Sequence, residues 1–164
     1  MLLSSISPNP NGTSMSKPFR VLVRVRYAEC DAQLVVFNAR YGDFVDMAVT
    51  EYVRVLFGGY QNLINKGFDY QVVRLSMDFK SPAKFDDVLS ISVEVAKLGN
   101  SSFTYHLEFR EYFSDRLVAV AEIIYVMMSC PAYEKIPLPD FFREKLSDGA
   151  TDQMLNYAGI ILND

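Results

Sequence analysis

Two carboxylates, Glu29 and Asp31, stand close together in the stretch RYAECDAQLVVFNARYGDFVD, where an alternating run ends and a helical period is about to begin at Asn38. A carboxylate beside the start of a helix can do chemistry. The first N–H groups of a helix have no intrahelical partners and carry the positive end of its dipole, so they can hold an oxygen on which negative charge develops. A carboxylate aimed at the same carbonyl can attack its carbon directly or take a proton from a water that does. The sequence leaves both routes open. The plainer reading of an Asp in this position is a turn former or cap.

The neighbouring candidates read as structural. Glu29 is expected to partner a nearby Arg. Cys30 has no motif pairing it with a base and reads as a small buried residue. The single histidine, His106, alternates with Thr104 and Glu108 on the polar side of a strand, a surface or interface position. Tyr27 and Tyr41 read as core or pocket wall.

These side chains need a scaffold, and periodicity supplies one. Phe19, Val21, Val23, Val25 and Tyr27 alternate with arginines, which predicts a half-buried strand over residues 19–27. From Asn38 to Phe57 the period changes. Tyr41, Phe44, Val45, Ala48, Tyr52, Val55 and Leu56 form one wide apolar stripe, with Asn38 as N-cap and Gly58-Gly59 as the stop. A short helical piece over 61–66 leads into four more strands, over 70–80, 88–98, 102–113 and 117–129. They are separated by the turn signals SPAKFDD, LGNSS and FSDR and can meander antiparallel. One helix cannot cover both faces of such a sheet, so an α+β fold is expected, with a curved antiparallel sheet wrapped around one long central helix. DFFREKL, after Pro137 and Pro139, predicts a short helix, with a loose tail over 147–164.

Composition narrows the classes. A chain of 164 residues, half of them apolar, can bury one core and reads as one domain, residues 17–146. A net charge of -4 and a pI near 5.0 argue against a nucleic-acid partner. The longest apolar run, LVAVAEIIYVMM, is broken by Glu122 and too short to span a bilayer, so no membrane association is expected. Residues 1–16 lack the features of a signal peptide and read as a disordered leader, with Met15 an alternative start. Two cysteines without a spaced framework point to a reducing cytoplasm.

The element order and three motifs resemble the hotdog-fold acyl-CoA thioesterases of the 4-hydroxybenzoyl-CoA thioesterase type. The entry motif Y-x-E-x-D-x-x-G-x-V-x-[NH]-x-x-Y is matched by Tyr27, Glu29, Asp31, Val36, Asn38 and Tyr41, with Leu34 where the family has Gly. DFKSPAKFDDVLSISVEVAKLGNSSF is similar to the paired strands and Gly-x-Ser-Ser-Phe loop, and AEIIYVMMSCPAYEKIPLP to the last strand and its Pro-rich exit. The resemblance spans residues 17–145.

It implies hydrolysis of an acyl-CoA to free acid and CoA, with no cofactor beyond the CoA of the substrate. Asp31 falls on the catalytic carboxylate, and the backbone amide of Asn38 falls on the oxyanion donor. For CoA itself, Gly99, Asn100, Ser101 and Ser102 offer donors, with Lys80, Lys84 and Lys97 as charge partners. Family behaviour implies a homodimer with a continuous sheet, paired into a homotetramer, and sites built from two subunits. The family's dehydratase relatives use a central His, and none occurs near Asn38. Leu34 favours the rival reading, a catalytically silent domain that binds acyl-CoA as sensor or carrier. A Gly at that turn serves positive φ or close approach. Leu34 is therefore expected either to impose a right-handed path and pack into the core or, the preferred alternative, to project toward the acyl site and narrow it.

Overall fold

The computed structural model describes residues 16–162, so the expected leader lies outside the described residues except for Ser16. Alternation produces the strands where it was legible. β1 spans Phe19–Arg24, β2 Phe68–Phe79, β3 Val88–Leu98, β4 Ser102–Glu111 and β5 Leu117–Ser129. The apolar stripe produces α1, Arg40–Phe57, which buries Tyr41, Phe44, Val45, Ala48, Val49, Tyr52, Val53 and Leu56. It stops at Gly58, whose φ of 75° is the left-handed C-cap that glycine adopts without strain. Two short helices follow the same chemistry, α2 at Tyr60–Asn65 and α3 at Asp140–Asp148.

The sheet is curved and unclosed, with strand order β2-β5-β4-β3-β1-β6, where β6 is Met154–Asn156. Only β3, β4 and β5 form the expected meander. β2 pairs antiparallel with β5 rather than with β3, because residues 80–87 cross the end of the sheet and leave β2 on its edge. The first strand also ends sooner than its alternation suggested. The chain turns after Arg24, and Tyr27–Glu29 form a 3₁₀ turn that swings Asp31 out of the sheet.

The C-terminal segment differs from the loose tail expected of it. β6, Met154–Asn156, pairs parallel with β1, and the Tyr157 N–H donates to the Leu22 carbonyl at 2.8 Å. Leu22 faces away from α1, yet it is buried with Val88 and Ala158 in a second small core. That apolar pair needed a cover, and the C-terminus provides it.

The main core is aromatic. Phe103 stacks on Tyr125 at 5.2 Å and meets Phe142 at 5.1 Å, while Tyr52 and Tyr105 meet edge-on at 5.5 Å. Burial raises the phenol pKa of Tyr52 to about 12, and burial together with the Asp69 carboxylate raises Tyr60 to about 12. Tyr70, Tyr105 and Tyr125 are raised as well, chiefly by burial. Unfolded tyrosines ionise near pH 10, roughly. The fold therefore favours the neutral phenols: this contribution is whole below the unfolded pKa and is lost as pH climbs through the folded values. Thermal unfolding followed against pH should show a flat melting temperature that falls steeply above roughly pH 10. An unchanged melting temperature at pH ~11 would contradict the burial of these hydroxyls.

Candidate active site

The 3₁₀ turn after β1 is clamped by its own ion pair. Glu29, 7% exposed, accepts from the Arg26 backbone N–H at 2.7 Å and from Arg26 Nε at 2.8 Å. The turn releases the chain into a tight loop in which the Asp31 N–H donates to the Val35 carbonyl and the Leu34 N–H to the Asp31 carbonyl, both at 2.9 Å. Asp31 Oδ1 accepts from the Gln33 N–H at 2.8 Å, so the turn-forming role of an Asp is real. Its second oxygen takes no hydrogen bond among the described residues. One oxygen orients the carboxylate, and the other is available.

Asp31 and Asn38 line one cleft of 510 Å³, whose walls also include Tyr41, Phe79, Lys80 and Pro82. Asn38 is not the N-cap. α1 starts at Arg40 with Ala39 as its cap, and the Asn38 carboxamide oxygen accepts from the Ala39 N–H at 2.9 Å. The Asn38 N–H itself donates to no group among the described residues. A backbone donor without a partner therefore sits at the mouth of α1, on the wall of the cleft that Asp31 lines. Tyr41 is core and wall at once, with its ring 5.1 Å from Phe79, and burial raises its pKa, so it stays neutral at ordinary pH. Burial, reinforced by Glu29 and Asp31, also raises the Cys30 thiol, which keeps it protonated and a poor nucleophile.

The other expected residues lie elsewhere in the single chain. Tyr27 is 74% exposed and rests edge-on against Phe85, outside the cleft wall. The Lys84 side chain is exposed, although its backbone bridges Val35. Lys97 and the loop Gly99, Asn100, Ser101 and Ser102 follow the far end of β3. Eleven residues at ~3.3 Å each put that loop about 35 Å along the strand from the start of β3, which lies at the Asp31 end of the sheet. The loop is pinned there by its carbonyls: Gly99 accepts from Arg143 Nη2, and Asn100 from the Leu138 N–H, each at 2.8 Å. His106 lies on the outer face of the sheet, opposite Glu94 and Glu122 and away from the cleft.

Leu34 follows neither expected path. Its φ is 61°, so the loop keeps the left-handed turn that a Gly would make, and its side chain is 60% exposed, outside the cleft wall. The hydrogen bonds of the loop on either side impose that backbone, and Leu bears the strain. A left-handed Leu costs roughly 1–2 kcal/mol, against roughly 0.5–1 kcal/mol of extra chain entropy for Gly. Leu34→Gly should therefore stabilise the fold by about 0.5–1 kcal/mol in urea unfolding. A clear loss of stability would show that the exposed side chain makes contacts worth more than the strain.

Sequence reading missed Phe79, Ser81 and Pro82 as cleft wall. The only local signal was the SP dipeptide ending a strand, and nothing in it says that the following segment crosses toward the Asp31 loop.

The thioesterase superfamily family model matches residues 34–112. The chain is 35% identical over 88 residues to the acyl-CoA thioesterase YbgC of Haemophilus influenzae, a match over 53% of this chain and 65% of that one. The match thus spans less than two thirds of the length of that relative. A solved 1,4-dihydroxy-2-naphthoyl-CoA thioesterase from Synechocystis superposes with a TM-score of 0.72 at 25% identity, covering 79% of this chain and 96% of that chain.

The chain has the hotdog fold of the solved thioesterases and is similar to the thioesterase superfamily over residues 34–112. A superfamily member from Jannaschia sp. shares the fold at 21% identity, with a TM-score of 0.74 over 88% of this chain and 98% of that one. This likeness agrees with the helix-in-sheet architecture described above. Among the described residues, no helix is long and apolar enough to cross a membrane.

Proposed function

We propose that this chain hydrolyses an acyl-CoA thioester to the free acid and CoA. The carrying observation is the pairing in one cleft of an available Asp31 oxygen with the unpartnered Asn38 N–H. The N–H holds the thioester oxygen as it becomes an oxyanion. Asp31 then either takes a proton from the attacking water or attacks the carbonyl carbon itself, forming a mixed anhydride that water hydrolyses to the free acid and regenerated Asp31. In both cases the C–S bond breaks and the CoA thiolate leaves. These two groups supply what the reaction requires, and no cofactor is proposed beyond the CoA of the substrate.

The working unit is proposed to be a homodimer joined through β2, and two such dimers a tetramer. The inward-facing residues Val72, Leu75 and Phe79 on β2 are 53%, 43% and 53% exposed. Their β5 neighbours on that face, Tyr125, Ile123 and Ala119, are buried. α1 therefore covers β5 but covers β2 only in part, through contacts such as Tyr41 on Phe79. The opposite edge of the sheet is occupied by β6, which leaves β2 as the long open edge, a feature proteins rarely leave unpaired. Antiparallel pairing of two β2 strands reverses the ends of the partner, bringing its Gly99–Ser102 loop toward this chain's Asp31. A pantetheine arm could then reach from the carboxylate of one subunit to the loop and Lys97 of the other. A cytoplasmic location fits this substrate.

The test is release of free thiol from a panel of aliphatic and aromatic acyl-CoAs. Turnover supports the hydrolase. Thermal stabilisation by acyl-CoA without thiol release would replace it with the silent binder.

A further inference from the structure

The cleft has two walls from distant parts of the chain: the Asp31 loop on one side, and Lys80 to Pro82, the start of the segment crossing from β2 to β3, on the other. Something must hold them in register, and one side chain outside the cleft is built to do so. Arg116, in the connection between β4 and β5, donates from Nη1 to Ser81 Oγ at 2.7 Å and to the Pro82 carbonyl at 2.6 Å. Its Nη2 reaches Asp87 Oδ2 at 3.4 Å. The arginine is itself anchored, since its carbonyl accepts from the Glu111 N–H at 2.9 Å. The Ser81 hydroxyl is also fixed, donating to the Leu117 carbonyl at 2.6 Å.

The contacts continue to the carboxylate. Asp87 Oδ2 accepts from the Lys84 N–H at 2.9 Å, which shapes the crossing turn. That turn grips the catalytic loop: the Val36 N–H donates to the Ala83 carbonyl at 2.8 Å, and Val35 bridges Lys84. The Val35 carbonyl in turn receives the Asp31 N–H at 2.9 Å.

We propose that Arg116 is a positioning residue that sets Asp31 against the opposite wall of the cleft; the inference rests on the hydrolytic reading above. The planar guanidinium holds three oxygens of one segment from two nitrogens in a fixed fork, a geometry that the rotating donors of a lysine ammonium do not fix. Arg116 does not line the cleft and acts only through Ser81, Pro82 and Asp87. Its loss should therefore lower the rate of the chemical step more than it weakens substrate binding.

The experiment compares wild type with Arg116→Lys and Arg116→Met in the full chain. It measures kcat and KM per folded molecule, melting temperature, and amide hydrogen exchange. The expected result is a kcat about tenfold or more lower, with KM changed by less than about threefold. Exchange should quicken at the Asp31 and Val36 amides and stay unchanged at the Ile91 and Leu107 amides of the β3–β4 ladder. The lysine variant keeps the charge, so the comparison survives if the methionine variant fails to fold. Unchanged kcat per folded molecule would overturn the proposal, as would exchange that quickens uniformly across the sheet. A wild type that turns over no acyl-CoA would sink the hydrolytic reading and the kinetic consequence together. The exchange rates at Asp31 and Val36 would then decide alone whether Arg116 holds the loop.

Discussion

Asp31→Asn is expected to reduce thioester turnover at least about a hundredfold, in the range typical for a positioned acid–base group, with the fold intact. The structure explains why the fold should tolerate it. Asp31 Oδ1 accepts the Gln33 N–H, and the carboxamide oxygen of Asn can accept the same bond. Asp31 has no ion-pair partner among the described residues, so neutralising it strands no cation. What disappears is the negative charge on the oxygen left available in the cleft, and with it both routes to the carbonyl carbon. Thiol-release kinetics beside a thermal melt separates the two effects. Activity near that of wild type would remove Asp31 from the reaction, and a collapsed melt would show its turn-forming role to be the larger one.

Leu75→Glu is expected to break the proposed dimer and, with it, the activity. Leu75 points to the α1 side of the sheet but lies on the edge strand, opposite Ile123 of β5, and is 43% exposed in one chain. A glutamate there can stay in water in the monomer, so folding should proceed. In a dimer joined through β2 the same carboxylate would be buried without a partner, at a cost of about 3 kcal/mol or more. That corresponds to roughly a hundredfold or more in the dimer Kd. Sedimentation should show a wild-type dimer or larger and a variant monomer at micromolar concentration. The variant should also lose turnover, since the Gly99–Ser102 loop then has no route to Asp31. A wild type that is a stable, active monomer would refute both the interface and the two-subunit site.

Much of this architecture was legible before any coordinates. The strand Val88–Leu98 runs as its alternation and turn signals predicted, Leu117–Ser129 runs where the long apolar run placed it, and the stripe from Tyr41 to Leu56 is the buried face of α1. Periodicity is a local property, set by which side of a strand or helix must leave water, and it survives without knowledge of the fold. The Glu29 partnership with Arg26 was legible for the same reason: three residues apart, they share one turn.

Properties that depend on contacts between distant residues were not. Nothing near Phe79 says that residues 80–87 cross the sheet and leave β2 on the edge; that order follows from which apolar faces α1 can cover at once. Leu34 looked like a departure that should either redirect its loop or, as preferred, project toward the acyl site and narrow it. Yet bonds from Asp31, Val36 and Ala83 hold the loop in the left-handed path, because their sum outweighs the strain on one residue. The C-terminus read as a tail because Met154, Leu155 and Asn156 carry too few residues for a period to show. They become a strand only because β1 offers an unpaired edge and Leu22 an apolar face to cover. The sequence by itself determined the long helix, the four strands from Phe68 to Ser129 and the carboxylate beside the helix, through local patterns of burial. The tertiary structure alone decided which strand stays open and which residues wall the cleft, because both depend on chain crossings that no local pattern encodes.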